Sequence, residues 1–436
     1  MEVSLAGRNS GFLFKTWKKG FTGLVQRTLL FRLAGFLLAF GLQVMIARMM
    51  GVAHFGEYII ILTMLNIFLG ISLFGFEKSS DQFLPVYMEK KQYAEVKGFA
   101  RFSSRFVMLV SLVCSVLLFM FLVYRAKRFH ISFSEGIFWG LLTIPFLAMM
   151  NHALSILRAT GGKTMGWMVT MLLPVMTGIL MTWYYSSHGK LSIDAIMLIM
   201  LCCTAVVSFA LTRRAKAFVR TISSRSVMPE RRWLSVSFGF FIIAFFGILF
   251  KSVDIVMTAV LLNYKSAGLY AIAVQLAAMT ILGLNVVRSI FLDKVTDLHD
   301  KKQLLKMQKV ISASSLQALS ISMPIAFLLI LFGRRLLGLF GEPFMDAYVP
   351  MIILLASGLI SCFTGMVNGL MIKAYPKTLI FYVCLTLAIQ VFLNLILIPS
   401  WGIIGAATGS AISVILLNVF SYSYIRRKLH IRAMVF

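Results

Sequence analysis

TLIFYVCLTLAIQVFLNLILIPSWGIIGAATGSAISVILLNVFSYSYI, residues Thr378–Ile425, contains no Asp, Glu, Lys or Arg. A helix rises about 1.5 Å per residue, so about 20 apolar residues cross the hydrocarbon core of a bilayer. The run is long enough to cross twice, and Pro399-Ser400-Trp401-Gly402 supplies the turn between the crossings. It therefore reads as two consecutive transmembrane helices.

The rest of the chain reads the same way. Sixty per cent of its 436 residues are hydrophobic and 13% are charged. Mean hydropathy is +0.90. A soluble domain of this size could not hide so much apolar surface behind so few charges. Further spans fall at about 28–48, 58–76, 106–124, 136–157, 164–185, 195–212, 235–260, 266–287, 310–333 and 347–372. With the last two they make about twelve. The reading is an all-α polytopic membrane protein. The N-terminal cations Arg8, Lys15, Lys18 and Lys19 resemble a signal peptide's, but no small-residue cleavage site follows, so the first helix is expected to be retained.

Net charge is +27. Alternate loops carry 32 and 8 of the Lys and Arg residues, and Arg32 and Lys251 fall inside spans. The asymmetry places both termini in the cytoplasm of a bacterial inner membrane. The cluster Arg125, Lys127, Arg128 is the loop that argues against it. No segment is long enough to fold into a soluble basic face, so the charge does not imply nucleic acid. Cys114, Cys202, Cys203, Cys362 and Cys384 all lie in apolar runs without metal-ligand spacing and read as small membrane-embedded hydrophobes.

The basic loop Arg213–Arg232 divides the chain into residues 1–222 and 223–436, expected to be an N-lobe and a C-lobe of six helices each. Gly51-Val52-Ala53-His54-Phe55-Gly56-Glu57-Tyr58 enters the second span. Asn263-Tyr264-Lys265-Ser266-Ala267-Gly268-Leu269-Tyr270 enters the eighth, 212 residues later. Arg158-Ala159-Thr160 and Lys373-Ala374-Tyr375 form a second echo at nearly the same offset. Six helices separate the copies, so the repeats run parallel about an axis along the membrane normal. A site is expected in a central cavity between them.

The charges that interrupt spans are the candidate site. Arg32 either faces a wet cavity or sits near the cytoplasmic interface and snorkels. Lys251 and Asp254 are three apart and share a helix face. They read either as an internal ion pair or as an anion-binding Lys beside an Asp that titrates or coordinates a cation. Arg48 and Glu57 bracket the loop after the first span, and Arg288 ends the eighth. Asn66, Asn151, His152, Asn368, Asn394 and Asn418 read mainly as interhelical hydrogen-bonding groups. Asp293, Asp297 and Asp300, mixed with lysines, read as a solvated amphipathic helix and not as a metal site. No Walker A sequence, catalytic triad or paired carboxylates on a large outer loop stands out. Neither an enzyme nor a cofactor is expected.

Ala47-Arg48-Met49-Met50 running into Gly51–Tyr58, followed later by Phe83-Leu84-Pro85-Val86-Tyr87, resembles the start of Wzx-type polysaccharide flippases. These belong to the multidrug/oligosaccharidyl-lipid/polysaccharide exporter superfamily. Asp254 ahead of Ala267-Gly268-Leu269-Tyr270, then Leu339-Phe340-Gly341-Glu342-Pro343-Phe344, continue the resemblance. Asn394-Leu395-Ile396-Leu397-Ile398-Pro399-Ser400-Trp401-Gly402, with Gly405-Ala406-Ala407, carries it to the end of the chain. Gln82 departs from the pattern, where the family has Arg. The resemblance implies a V-shaped cavity between two six-helix lobes. It implies a substrate of oligosaccharide on polyprenyl (undecaprenyl) pyrophosphate, moved from the cytoplasmic to the periplasmic leaflet for surface polysaccharide assembly. Arg48, Lys251 and Arg288, with Arg32, would face the pyrophosphate, and Asp254 would couple an ion. Membrane lipid, a glycan polymerase and a chain-length regulator are the partners it suggests. The rival readings are a drug or organic-cation exporter of the same superfamily, a membrane-bound polymerase or glycosyltransferase, and a noncatalytic scaffold.

Overall fold

The computed structural model describes residues 23–129, 135–161, 165–222, 227, 231–364 and 366–430. The N-terminal cations, Lys163, and the side chains of Arg32, Arg125, Lys127 and Arg128 lie outside the described residues. In chain order the first half contains α1 (Gly23–Met50), α2 (Val52–Leu73), α3 (Phe76–Glu89), α4 (Tyr93–Phe129), α5 (Glu135–Ala159), α6 (Met165–His188) and α7 (Ile193–Thr221). The second half contains α8 (Arg231–Leu261), α9 (Tyr264–Ala278), α10 (Ile281–Asp300), α11 (Leu304–Gly338), a 3-10 turn (Glu342–Ala347), α12 (Tyr348–Thr364), α13 (Val367–Ala374) and α14 (Pro376–Leu429). Among the described residues the expected spans fall mainly on helix, and the chain is a multi-pass membrane protein.

Three spans are not simple rods. α14 turns at Gly402, whose φ of 59° and ψ of −137° break the helix where the sequence places Pro399–Gly402. The expected eighth span is α9 and α10, bent by 46°. Ser322 Oγ donates to the Thr280 carbonyl at 2.6 Å in that bend. The expected tenth span is α12 and α13, separated around Met366. The stretch 78–105, expected as a cytoplasmic loop, is helical instead. α3 buries Phe76, Phe83 and Leu84 and exposes Lys78, Asp81, Gln82 and Glu89. α4 then starts at Tyr93, well before its apolar stretch.

Two caps fix helix starts. Asn263 accepts a hydrogen bond from Ser266 N at 2.8 Å and starts α9, as Ser192 starts α7 by accepting one from Ala195 N at 3.1 Å. Gly51, with φ of 77°, breaks the chain between α1 and α2.

In the first half α5 packs on α7 and α4, and α1 on α6. In the second, α10 packs on α11, α12 on α14, and α14 on α8. The halves meet chiefly through α2 against α9 and α8. α8 straddles them. Near its start, Trp233 is fully buried among Phe99 and Phe102 and donates from Nε1 to Tyr87 Oη at 3.0 Å. Ser237 bonds Ser79 at 2.8 Å. Farther on, α8 belongs to the second half through Asp254. The boundary expected at residue 222 thus precedes two helical turns that sit in the first half's core. Cys202 is exposed and Cys203 buried, on different sides of α7.

Candidate functional site

The end of the molecule poor in Lys and Arg is shut. Gly56 of α2 and Gly268 of α9, equivalent positions of the repeated motif, lie against each other. A Cβ on Gly268 would come within 2.8 Å of Gly56 Cα and 3.1 Å of Gly56 N. A Cβ on Gly56 would overlap the Tyr264 carbonyl. Only glycine at both positions permits this crossing. Around it, Phe40 meets Phe340 edge-on at 5.2 Å and Phe55 meets Phe344 at 5.6 Å. Arg48 Nε donates to the Leu339 carbonyl at 2.6 Å. Arg48 therefore ties the halves together at the closed end and, in this conformation, does not line an open cavity.

Away from this seal, residues 240–250 of α8 are half-buried on every face. Phe240, Ala244, Gly247 and Lys251 follow one another at three- and four-residue spacing. A Cβ on Gly247 would meet no atom within 4 Å, and Lys251 is exposed. The same face is buried at Trp233 and Ser237 toward the basic end and at Thr258 toward the sealed end. Lys251 is thus the exposed position on a face of α8 that is half-buried along its middle and buried toward both ends.

Asp254, one turn on, is buried where Lys251 is exposed. It is 4% exposed. Tyr270 Oη and Ser410 Oγ each donate to its Oδ2 at 2.6 Å. Gln390 Nε2 donates onward to Ser410 Oγ at 3.1 Å. The internal ion pair that their spacing suggests does not form between Lys251 and Asp254, because hydroxyl groups satisfy the carboxylate. Next to this chain, Asn394 is fully buried with neither amide atom hydrogen-bonded, its Oδ1 facing Gly409. Gln390 Oε1 is likewise unmatched. A buried carboxylate beside unmatched amide oxygens is a donor set for a cation or an ordered water.

Arg288 lies on α10, and a Cβ on Gly369 of α13 would come within 3.3 Å of its Nε. It is half-buried beside the broken tenth span and takes no part in the Asp254 chain. In the second half Asn418 also accepts from Thr364 Oγ1 at 2.8 Å and Asn368 Nδ2 at 3.0 Å, and donates to Ser361 Oγ at 3.0 Å. Asn368 and Asn418 thus act as interhelical hydrogen-bonding groups, as the sequence suggests. His152 is fully buried and shares a 3.0 Å hydrogen bond with Ser103.

At the basic end each repeat closes on an ion pair. Arg158 lies 3.0 Å from Glu77 and 3.6 Å from Asp81. Lys373, its counterpart, pairs with Asp293, which is Asp81's counterpart 212 residues on. Partial desolvation of Asp81, whose side chain stays 40% exposed, raises its carboxyl above the ordinary pKa, against the pull of Arg158. Sequence reasoning misses Tyr270, Ser410 and Gln390 as site residues. The signal is present all the same: Thr386, Gln390 and Asn394 repeat every four residues in a run otherwise free of strong polarity.

The sequence profile described as polysaccharide biosynthesis protein matches residues 25–291. A probable low-salt glycan biosynthesis flippase of Haloferax volcanii is 25% identical over 182 residues, 41% of this chain. The match covers only 38% of that protein's length. Among solved structures, the inward-facing conformation of a multidrug resistance MATE family transporter of the MOP superfamily superposes with a TM-score of 0.71 at 12% identity, covering 91% of this chain and 94% of the other. The lipid II flippase MurJ in an inward closed conformation gives 0.66 at 16% identity, covering 91% and 87%. These structures share the fold.

Proposed function

Because the chain belongs to the polysaccharide biosynthesis protein family, we propose that it is a flippase for oligosaccharide linked to undecaprenyl pyrophosphate. It would act in a bacterial inner membrane with both termini cytoplasmic, carrying the substrate from the cytoplasmic to the periplasmic leaflet for O-antigen, capsule or exopolysaccharide assembly. The 1–222 and 223–436 halves would rock about the α2–α9 crossing, with α8 as the element shared between them.

The observation that carries the reading is Lys251, an exposed cation in the membrane-spanning part of α8 on a face buried toward both ends. A cation at membrane depth, where the surroundings are less polar than bulk water, attracts phosphate strongly. Arg48 would meet the pyrophosphate once its bond to Leu339 is released, so it acts late in the cycle. Arg288 and Arg32 would extend the basic lining toward the cytoplasm. Asp254, with Ser410, Gln390 and Asn394, would hold the coupling cation or proton. Membrane lipid surrounds the protein, and a glycan polymerase and chain-length regulator would take the product.

The rival drug-exporter reading needs an acid offered to an organic cation in the central cavity. Asp254 is buried and occupied by two hydroxyls, which weighs against it.

The experiment is leaflet transfer of a lipid-linked oligosaccharide in vesicles, with surface polysaccharide scored in cells. Lys251→Ala abolishes both with protein level and melting temperature unchanged, and Lys251→Arg retains most of the activity. A hydrogen bond to a charged group contributes about 1.5–3 kcal/mol, or roughly 10- to 150-fold in transfer rate. Normal polysaccharide in Lys251→Ala refutes the assignment. Synthesis of new glycan bonds by the purified chain would favour a polymerase instead.

A further inference from the structure

At the basic end α3 passes into α4 through Glu89-Lys90-Lys91-Gln92-Tyr93. Gln92 N donates to the Tyr87 carbonyl and Lys91 N to that of Met88, which closes α3. The turn is repeated in the second half as Asp300-Lys301-Lys302-Gln303-Leu304, with Gln303 N bonded to the Leu298 carbonyl and Lys302 N to that of His299. Lys91 and Lys302 both adopt left-handed backbone, with φ of 56° and 55°. Two halves thus present the same lysine turn.

The first of these turns borders a cavity of about 310 Å³, bounded by α3, the start of α4 and Arg232 of α8. Its wall is rigid. Phe83 and Tyr87 stack at 5.8 Å, and the buried Trp233 holds the Tyr87 hydroxyl. The Arg232 guanidinium lies over the Phe83 ring at 6.0 Å. Lys90 and Arg232 supply positive charge, while Gln82, Gln92 and Glu95 supply amide groups and one carboxylate. Among the described residues neither Lys90 nor Arg232 is paired with a carboxylate within 4.0 Å.

Depth decides what can reach it. Along α4 the lipid-facing apolar stripe begins at Met108 and Leu109, thirteen residues after Glu95. At about 1.5 Å per residue the cavity lies roughly 20 Å beyond the hydrocarbon along α4 and about 9 Å along α8, from Arg232 to the exposed Phe238. The headgroup layer is only about 5–8 Å deep on each side. A phospholipid headgroup therefore does not reach the cavity, whereas a glycan projecting into water does.

The lining chooses among water-borne ligands. One carboxylate beside two cations leaves a net charge of about one, too little for a polyphosphate or nucleic acid. Arg232 offers a planar fork to a carboxylate or phosphate group. Glu95 and the glutamine carbonyls accept hydrogen bonds from hydroxyls. The geometry points to a subsite for an acidic saccharide, one anionic group on Lys90 and Arg232 with its hydroxyls on Glu95, Gln82 and Gln92. Resting on the flippase reading, it is a first docking point for the sugar head of the lipid-linked substrate, outside the central cavity.

Binding is measured on the purified full chain with a soluble glucuronic-acid-containing disaccharide. Cellobiose and inorganic phosphate serve as comparators. The acidic disaccharide binds more tightly than either. Arg232→Gln and Lys90→Gln each weaken it about tenfold, while Lys302→Gln, on the matching turn of the other half, leaves it unchanged. Glu95→Gln weakens the disaccharide and strengthens phosphate. The assignment is overturned by any of three results: no binding of the disaccharide, phosphate binding equally well, or Lys302→Gln acting like Arg232→Gln. Because the probe has no lipid, a chain that binds it but fails leaflet transfer sinks the flippase reading alone. A chain that flips but does not bind it sinks the subsite alone.

Discussion

Gly268→Ala places one methyl group into the contact between α9 and α2. Its Cβ would sit 2.8 Å from Gly56 Cα, where ordinary contact begins at 3.4 Å, so the crossing must open by 0.6 Å. Both opposing atoms are backbone and neither can rotate away. Over-packing of this kind costs about 1–3 kcal/mol, and that cost falls only on the conformation in which α2 and α9 touch. If the halves part in the opposite conformation, the equilibrium moves toward it by roughly 5- to 150-fold. Phe340, 2% exposed behind the crossing, is the reporter. In a chain with Cys114, Cys202, Cys203, Cys362 and Cys384 replaced, Phe340→Cys is labelled by a membrane-impermeant maleimide from the charge-poor side. Adding Gly268→Ala raises the labelling rate at least about fivefold. Gly56→Ala, whose Cβ overlaps the Tyr264 carbonyl, raises it further. Unchanged labelling in folded Gly268→Ala protein means that the seal is not the moving contact, and the gate argument fails.

Arg48→Ala removes the bond to the Leu339 carbonyl at the same end and increases Phe340→Cys labelling by less than Gly268→Ala, because the bond is solvent-exposed. Tyr270→Phe leaves Asp254 with one hydroxyl donor fewer and lowers stability by about 1–3 kcal/mol, read by denaturation in detergent. The same variant alters the dependence of leaflet transfer on the sodium or proton gradient, and identical gradient dependence removes Asp254 from coupling. At the basic end, partial desolvation lets folded Asp81 hold its proton to a higher pH than the unfolded chain does. Its contribution to stability is therefore full below the ordinary 3.8 and declines as pH rises through the folded value. Asp81→Asn flattens that decline in a melting-temperature series against pH, whereas a steeper decline contradicts the burial argument.

The membrane spans were legible because the bilayer demands long apolar runs, and charges mark their ends. The Gly56 and Gly268 motifs were legible as a repeat, but nothing local showed that the two copies touch. The bend at Met279–Thr280 carries neither proline nor glycine, and its partner, Ser322, is 42 residues away. Lys251 and Asp254 looked paired because residues three apart on a helix are neighbours. In the fold Asp254 is buried against the hydroxyls of Tyr270 and Ser410 while Lys251 stays exposed, so the two side chains part. α3 was hidden because its exposed charges dilute the apolar signal of Phe76, Phe83 and Leu84. The two Lys-Lys-Gln turns share a left-handed backbone that their sequences, one after Glu89 and the other after Asp300, do not announce.

The meeting of Gly56 with Gly268 has a consequence for how such a chain arises. A residue that contacts its own repeat counterpart lies on a local two-fold axis, and the patch around it is self-complementary. A six-helix ancestor bearing one copy of the motif would dimerise through this same patch, both copies in one orientation across the membrane. Fusion through a basic linker would then preserve the seal and free the two halves to diverge, one setting Tyr270 against Asp254 and the other setting its counterpart Tyr58 against Met200. Substitutions at the seal stay tied in pairs, since any side chain gained on one glycine must be accommodated by its twin.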